Sequence, residues 1–214
     1  SLILSFSFFT LTLIIIITGL IVKIIGMIGK IITTRVLGIE GMSKYALSYP
    51  TLLLFINISG FSMNNTMSKL VSEAIASKQY SPKLLLKKGI KTTFLISSIC
   101  IIIYLCSINF ISKNLLKDNE LIMPLLMGTS DALRGYLNGI KAVKFSSTSL
   151  FLEQLTRTIF SLLGIYIGLK INIIIATSFL YLALSIGEIA SIIFCLIYIK
   201  KHKLIHYQNT QGEQ

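Results

Sequence analysis

The sequence has 214 residues, of which 54% are hydrophobic and only 13% are charged. Soluble domains carry about 25% charged residues, so this composition excludes an ordinary soluble protein and indicates an integral membrane protein. The formal net charge is +12, but the lysines lie between apolar runs rather than in one stripe. This pattern favours lipid headgroups and membrane topology, and not nucleic acid, as the partners of the basic residues.

Six stretches of the sequence are long and apolar enough to cross a bilayer, which takes about 20 residues. In chain order they cover residues 2–36, 45–70, 92–112, 121–140, 145–169 and 171–199. The third stretch contains no charged residue, whereas the fourth contains Pro124, Asp131 and Arg134. The sequence therefore predicts an all-α bundle of six transmembrane helices over residues 1–200, followed by a polar tail over residues 201–214.

Basic residues are distributed unevenly between the connections of these six spans. If the N-terminus is cytosolic, the inner connections hold 12 lysines and arginines and the outer connections hold four. Acidic residues offset three of the four outer ones. Because basic connections stay in the cytosol, the asymmetry predicts a multi-pass membrane protein with both termini cytosolic.

The segment between the second and third spans, SPKLLLKKGIK (residues 81–91), is basic and contains three consecutive leucines. Pro82 suits the first turn of a helix. The leucines could enter the headgroup boundary while the lysines reach lipid phosphates, as in a short helix on the inner membrane surface. A simple solvated loop is the alternative interpretation.

Ionisable residues interrupt the fifth and sixth spans. Glu153 and Arg157 are four residues apart and share one helical face, with Gln154 beside them. A charge at the bilayer centre costs about 3 kcal/mol or more when it is unpaired, so we expect the two to pair and to face the protein interior. They either fix helix packing or line a polar cavity, and we favour the cavity. Glu188 in the sixth span could be protonated, pair with Arg157 or bind a coupling cation.

Charged residues also interrupt the first and fourth spans. Lys23 and Lys30 are two turns apart on one face and could bind an anionic ligand such as a pyrophosphate. Snorkelling of Arg35 and Lys30 to the headgroups is the alternative. Asp131 and Arg134 are three residues apart near the inner end of the fourth span, where we expect a simple local pair.

Other motifs indicate packing rather than chemistry. GxxxG repeats at residues 135–139 and 164–168 predict close helix crossings. The three cysteines lie within apolar segments and lack metal-site spacing. His202 and His206 are four residues apart but have no third ligand nearby, so no metal site is predicted. The sequence has no nucleotide-binding or hydrolase motif, which predicts a protein that is not an enzyme and has no cofactor.

Two long blocks of sequence resemble a known family. KIIGMIGKIITTRVLGIEGMSKYALSYP and SGFSMNNTMSKLVSEAIA are similar to the first two spans of the stage V sporulation protein B and polysaccharide biosynthesis protein family. LRGYLNGIKAVKFSSTSLFLEQLTRTIFSLLGIY is similar to its fourth and fifth spans, with an RGY-x-x-G turn followed by Glu-Gln-x-x-Arg. The resemblance runs over most of residues 20–170. The residues at its RGY-x-x-G positions are Arg134, Gly135, Tyr136 and Gly139.

This family belongs to the multidrug/oligosaccharidyl-lipid/polysaccharide (MOP) flippase superfamily, whose members have two lobes around a central cavity. The resemblance implies a MATE-like six-helix N-terminal lobe in a bacterial plasma membrane. Its function would be alternating-access transport of a lipid-linked oligosaccharide, a cell-wall precursor of the spore cortex peptidoglycan. The implied partners are the bilayer, the lipid-linked sugar, and a second six-helix lobe or an identical copy. The candidates for the substrate cavity are Lys23, Lys30, Arg35, Glu153, Gln154, Arg157 and Glu188.

Two alternatives to this function remain open at the level of the sequence. One is cation-coupled multidrug efflux by a half-transporter, which would favour acidic residues in the cavity. The other is a truncated membrane remnant that does not transport.

Overall fold

The computed structural model describes residues 2–60, 63–77, 81–111 and 123–201. Within these ranges the chain forms helices only, which confirms the predicted all-α class. In chain order the helices are α1 (Leu2–Gly60), α2 (Met63–Ser77), α3 (Pro82–Ile111), α4 (Met123–Gly139), α5 (Val143–Leu169) and α6 (Ile173–Lys201). The polar tail and both of its histidines lie outside the described residues.

Three helical segments in the described ranges are long and apolar enough to cross a membrane. They are Phe9–Ser43 of α1, Val143–Leu169 and Ile173–Lys201. These segments support a membrane protein. The full count of six spans and the cytosolic placement of the termini stay predictions.

Helix α1 consists of two helical segments that meet at a kink in the connection predicted between the first two spans. Its one residue with non-helical backbone angles is Gly38, at φ 63° and ψ −168°. Glycine reaches positive φ without the Cβ clash that other residues meet, so the chain can interrupt the helix in a single residue. The predicted second span, residues 45–70, is divided between the end of α1 and the start of α2.

The basic segment at residues 81–91 is helical from Pro82, as one of its two interpretations expected, but the helix is not short; the solvated loop was wrong. The segment forms the first turns of α3, and the predicted third span continues from it without a break. The carbonyl oxygen of Ser81 accepts hydrogen bonds from the backbone N–H groups of Leu84 and Leu85 at 3.0 and 3.2 Å. Pro82 is the first residue of the helix, as expected from its fixed φ.

Helix α4 lies at the centre of the bundle and contacts each of the other five helices. Residues 132–137 are all buried. The main apolar cluster is built around this helix from α2, α3, α4 and α6. Its buried members are Met67, Val71, Leu86, Ala132, Leu133, Tyr136, Leu137, Cys195 and Ile199.

The first GxxxG repeat allows α2 to cross α4 closely. A Cβ atom added at Gly135 would lie 2.5 Å from the carbonyl oxygen of Asn64, and one added at Gly139 would lie 2.6 Å from Cβ of Val71. Both distances are too short for real contacts. The glycines therefore determine the separation of the two helices.

The second GxxxG repeat has the same role between α5 and α6. A Cβ atom added at Gly168 would lie 2.5 Å from Cα of Ala176, and one added at Gly164 would lie 2.6 Å from Cβ of Phe179. A short turn joins the two helices, in which the carbonyl oxygen of Gly168 accepts hydrogen bonds from Ile171 and Asn172. The close antiparallel contact brings the middle of α5 against the middle of α6.

The α2–α4 crossing predicts a large effect of one added methyl group. Gly135→Ala is expected to lower the free energy of unfolding by about 1–3 kcal/mol, because the new Cβ meets backbone atoms that cannot move alone. The measurement is denaturant or thermal unfolding of the purified protein in micelles. Gly19→Ala is the matched control, since a Cβ there has nothing within 4 Å. Equal melting temperatures for the two variants would contradict the assigned crossing.

Candidate functional site

A buried arginine lies at the centre of the polar contacts in the bundle. Arg134 of α4 is 2% exposed. Its guanidinium donates hydrogen bonds to Ser130 Oγ at 2.8 Å and Asp131 Oδ1 at 3.1 Å. It also pairs with the carboxylate of Glu153 on α5. The same guanidinium lies 3.9 Å from Oε2 of Glu188 on α6.

A second arginine joins the same carboxylates from the other side. Arg157 Nη2 donates to Glu153 Oε1 at 2.6 Å and to Glu188 Oε1 at 3.3 Å. Ser130 Oγ donates to Glu188 Oε2 at 2.5 Å. Glu188 is fully buried. We call this group of side chains the polar core; it consists of Ser130, Asp131, Arg134, Glu153, Arg157 and Glu188.

The contacts of the polar core extend the pairs expected from the sequence. Glu153 pairs with Arg157 along one face of α5, and Glu188 also contacts Arg157. The expected pair of Arg134 with Asp131 is present. It is not only a local pair, because Arg134 is buried and also binds carboxylates on two other helices.

The spacing of residues along α4, α5 and α6 explains how the side chains of the polar core come together. Ser130 and Arg134 are one turn apart on α4, as Glu153 and Arg157 are on α5. Gly187 precedes Glu188 on α6, and a Cβ atom there would lie 3.0 Å from the carbonyl oxygen of Glu153. The glycine therefore allows α6 to approach α5 closely enough for Glu188 to reach both arginines.

Beside the polar core is a cleft of about 170 Å³ between α1, α5 and α6. Most of its polar lining comes from the middle of α1 and α5. These polar residues are Lys30, Thr33, Gln154, Arg157, Thr158 and Ser161. Arg157 is 25% exposed and belongs to both the cleft and the polar core. The cleft thus connects the charged interior with the exposed side of α1.

The candidate residues from the sequence separate into three groups. Lys30, Gln154 and Arg157 line the cleft, while Glu153 and Glu188 lie in the polar core. Lys23 and Arg35 occupy exposed positions of α1 and are not part of the described cleft lining.

The family-motif residues have structural positions of their own. Arg134 belongs to the polar core, and Tyr136 is completely buried in the apolar cluster. Gly135 and Gly139 face α2. Within the described ranges, no group of three His, Cys, Asp or Glu side chains is arranged to hold a metal ion.

Sequence reasoning missed the aromatic part of the site. Tyr45 and Tyr49 of α1 line the cleft, and their ring centroids are 4.8 Å apart. Tyr181 of α6 packs against Tyr45 with the centroids 5.3 Å apart. The four-residue spacing in KYALSYP was the available signal, but tyrosines at helical spacing are also common in ordinary packing.

An apolar helical bundle with buried ionic groups and spans of membrane length defines a membrane protein. The chain belongs to the family of polysaccharide biosynthesis proteins, whose family model matches residues 10–211.

Within curated proteins the chain is similar to stage V sporulation protein B of Bacillus subtilis (strain 168). The two are 28% identical over 203 residues, which cover 91% of this chain and 39% of that protein. The chain therefore spans less than half the length of this relative. No solved structure matches this chain.

The polar core predicts a strong dependence of stability on Arg134. Arg134→Met is expected to lower the free energy of unfolding by about 3–5 kcal/mol, because it leaves buried carboxylates with a single arginine. The measurement is equilibrium unfolding in micelles.

The exposed pair of Lys69 with Glu73, at 3.8 Å, supplies the control for this measurement. Lys69→Met is expected to change the free energy by less than about 1 kcal/mol, because surface ion pairs contribute little. Similar losses in the two variants would show that the polar core does not stabilise the fold.

Proposed function

We propose that this chain is one lobe of a flippase that moves a lipid-linked sugar across the bacterial plasma membrane. The observation that carries the proposal is the cleft, which brings Lys30, Gln154 and Arg157 together beside the polar core. A sugar-pyrophosphate headgroup needs such a polar path, while its lipid tail can remain in the bilayer. Membership in a polysaccharide biosynthesis family supports this class of substrate.

The proposed mechanism is alternating access between two lobes. The headgroup would occupy a site near the middle of the membrane while the lobes rock around it. The chain spans 39% of its sporulation relative, which supports a second lobe or a second copy as the partner. The relative is by name a sporulation protein, and the cargo that we propose is a cell-wall precursor made during sporulation. Switching would follow from substrate or an ion binding one conformation better than the other.

The two cations at the cleft, Lys30 and Arg157, have different roles in the proposal. Arg157 already donates to Glu153 and Glu188, so its positive charge is largely compensated. Lys30 is exposed, and no described carboxylate forms an ion pair with it. Lys30 therefore attracts a pyrophosphate more strongly than Arg157 does. The remaining N–H groups of Arg157 are hydrogen-bond donors at the wall of the cleft.

Cation-coupled efflux is a second candidate, and one observation favours it. The polar core contains two arginines and three carboxylates, an excess of one acidic group. Among the cavity candidates from the sequence, by contrast, four residues are basic and two are acidic. An excess carboxylate could bind a proton, so proton-coupled transport of a cationic drug is the competing outcome in the transport assay.

The proposal predicts that Arg157 is required for transport. Arg157→Ala in the full-length protein is expected to abolish movement of a polyprenyl-pyrophosphate disaccharide while the protein still inserts into membranes. The measurement is the fraction of labelled lipid in proteoliposomes whose sugar becomes accessible to an external lectin. Normal transport by this variant would remove Arg157 from the site.

Because Arg157 also has a structural role, a second variant tests the cleft without the polar core. Lys30→Gln is expected to lower the transport rate at least tenfold with an unchanged melting temperature. Lys144→Gln, on an exposed position at the start of α5, is the control and is expected to transport normally. Export of a cationic dye in place of the disaccharide would favour the efflux alternative.

A further inference from the structure

Three tyrosines form an ordered group at the cleft. Tyr45 and Tyr49 are stacked with an angle of 23° between their ring planes. The ring of Tyr181 is tilted by 34° against that of Tyr45, and its hydroxyl donates to the carbonyl oxygen of Tyr45 at 3.3 Å. Tyr181 is buried, whereas Tyr45 and Tyr49 are partly exposed and line the cleft. Tyr181 thus fixes a pair of rings that remains accessible.

Besides Lys30 and Arg157, the cleft has amide and hydroxyl groups in its lining. Gln154 Nε2 donates to Thr158 Oγ1 at 3.3 Å, a long bond that a better acceptor could replace. Helix α1 is close to both side chains, since a Cβ atom at Gly26 would lie 3.0 Å from Gln154 Nε2 and one at Gly29 would lie 2.9 Å from Thr158 Cγ2. Lys30 lies one turn further along α1, so its ammonium shares the cleft with these groups.

The chemistry of this lining fits a sugar ring better than an acyl chain. A pyranose has an apolar C–H face, which packs on an aromatic ring, and a rim of hydroxyl groups, which require hydrogen-bond partners. An acyl chain would favour aliphatic side chains and would offer Gln154 and Thr158 no hydrogen-bond partner.

The size of the cleft limits how much of a ligand it can hold. Its volume of about 170 Å³ is below the roughly 300–1,000 Å³ of sites that enclose a drug-sized molecule. The cleft is therefore too small to enclose a whole lipid-linked disaccharide, and the ligand portion that we assign to it is one sugar ring.

We propose that Tyr45 and Tyr49 form a stacking platform for the sugar ring next to the pyrophosphate of the lipid-linked substrate. Gln154 and Thr158 bind the polar substituents of that ring, and Lys30 binds the adjoining phosphate. This inference rests on the proposed function and adds selectivity to it. The lobe would recognise the glycosylated carrier and not the bare polyprenyl pyrophosphate.

The test compares two probes that differ only in the sugar. Full-length protein in nanodiscs is titrated with polyprenyl-pyrophosphate N-acetylglucosamine and with polyprenyl pyrophosphate, and binding is measured by microscale thermophoresis. Wild type is expected to bind the glycosylated probe at least tenfold more tightly. Tyr45→Leu with Tyr49→Leu is expected to remove this preference and to leave the affinity for the bare probe within about twofold.

Two further variants separate recognition from folding. Tyr45→Phe retains the ring and is expected to retain the preference for the glycosylated probe. Tyr166→Leu removes a tyrosine that is 64% exposed on the outer face of α5, and it is expected to behave as wild type.

Each other outcome overturns a defined part of the argument. Equal affinity of wild type for both probes would overturn sugar recognition and leave the flippase proposal standing. Equal losses for both probes in the double variant would assign the tyrosines to the fold. No binding of either probe by wild type would overturn the platform and the proposed function together.

Discussion

The structure depends on the compensation of charge inside an apolar bundle. Arg134 and Arg157 share the carboxylates of Glu153 and Glu188, and these four side chains come from three helices. In a medium of low dielectric constant, each group would be strongly destabilising if its partners moved away. The positions of α4, α5 and α6 are therefore coupled. Because Arg157 also reaches the cleft, the same contacts that hold the helices together shape the wall of the candidate site.

The helices that could be predicted best are those bounded by clear turns. The spans expected at residues 145–169 and 171–199 correspond closely to α5 and α6, because a polar turn separates two long apolar runs. The break expected at residues 37–44 is present as a kink at Gly38, whereas the break expected near residue 91 was wrong, because α3 runs from Pro82 to Ile111 without interruption. Lysine, leucine and glutamate are good helix formers, so a polar interruption of hydropathy does not end a helix. Only Gly38 interrupts the backbone conformation of α1.

The candidate site could be predicted only where its contacts are local. The pair of Glu153 with Arg157 follows from four-residue spacing on one helix. The contacts of Arg134 with Glu153 and of Ser130 with Glu188 join residues far apart in the chain, and they depend on how α4 packs against α5 and α6. The tyrosine group of α1 and α6 arises in the same way. A single sequence contains no periodicity that indicates such contacts.

The central position of α4 has a consequence for biogenesis. If this helix crosses the membrane, a charged residue at its middle would oppose release from the translocon into lipid by about 2.5–3.5 kcal/mol. Asp131 offers Arg134 one countercharge on α4 itself, but Glu153 and Glu188 belong to α5 and α6, which are synthesised later. The complete set of ion pairs around Arg134 can therefore form only after the last two helices have left the ribosome.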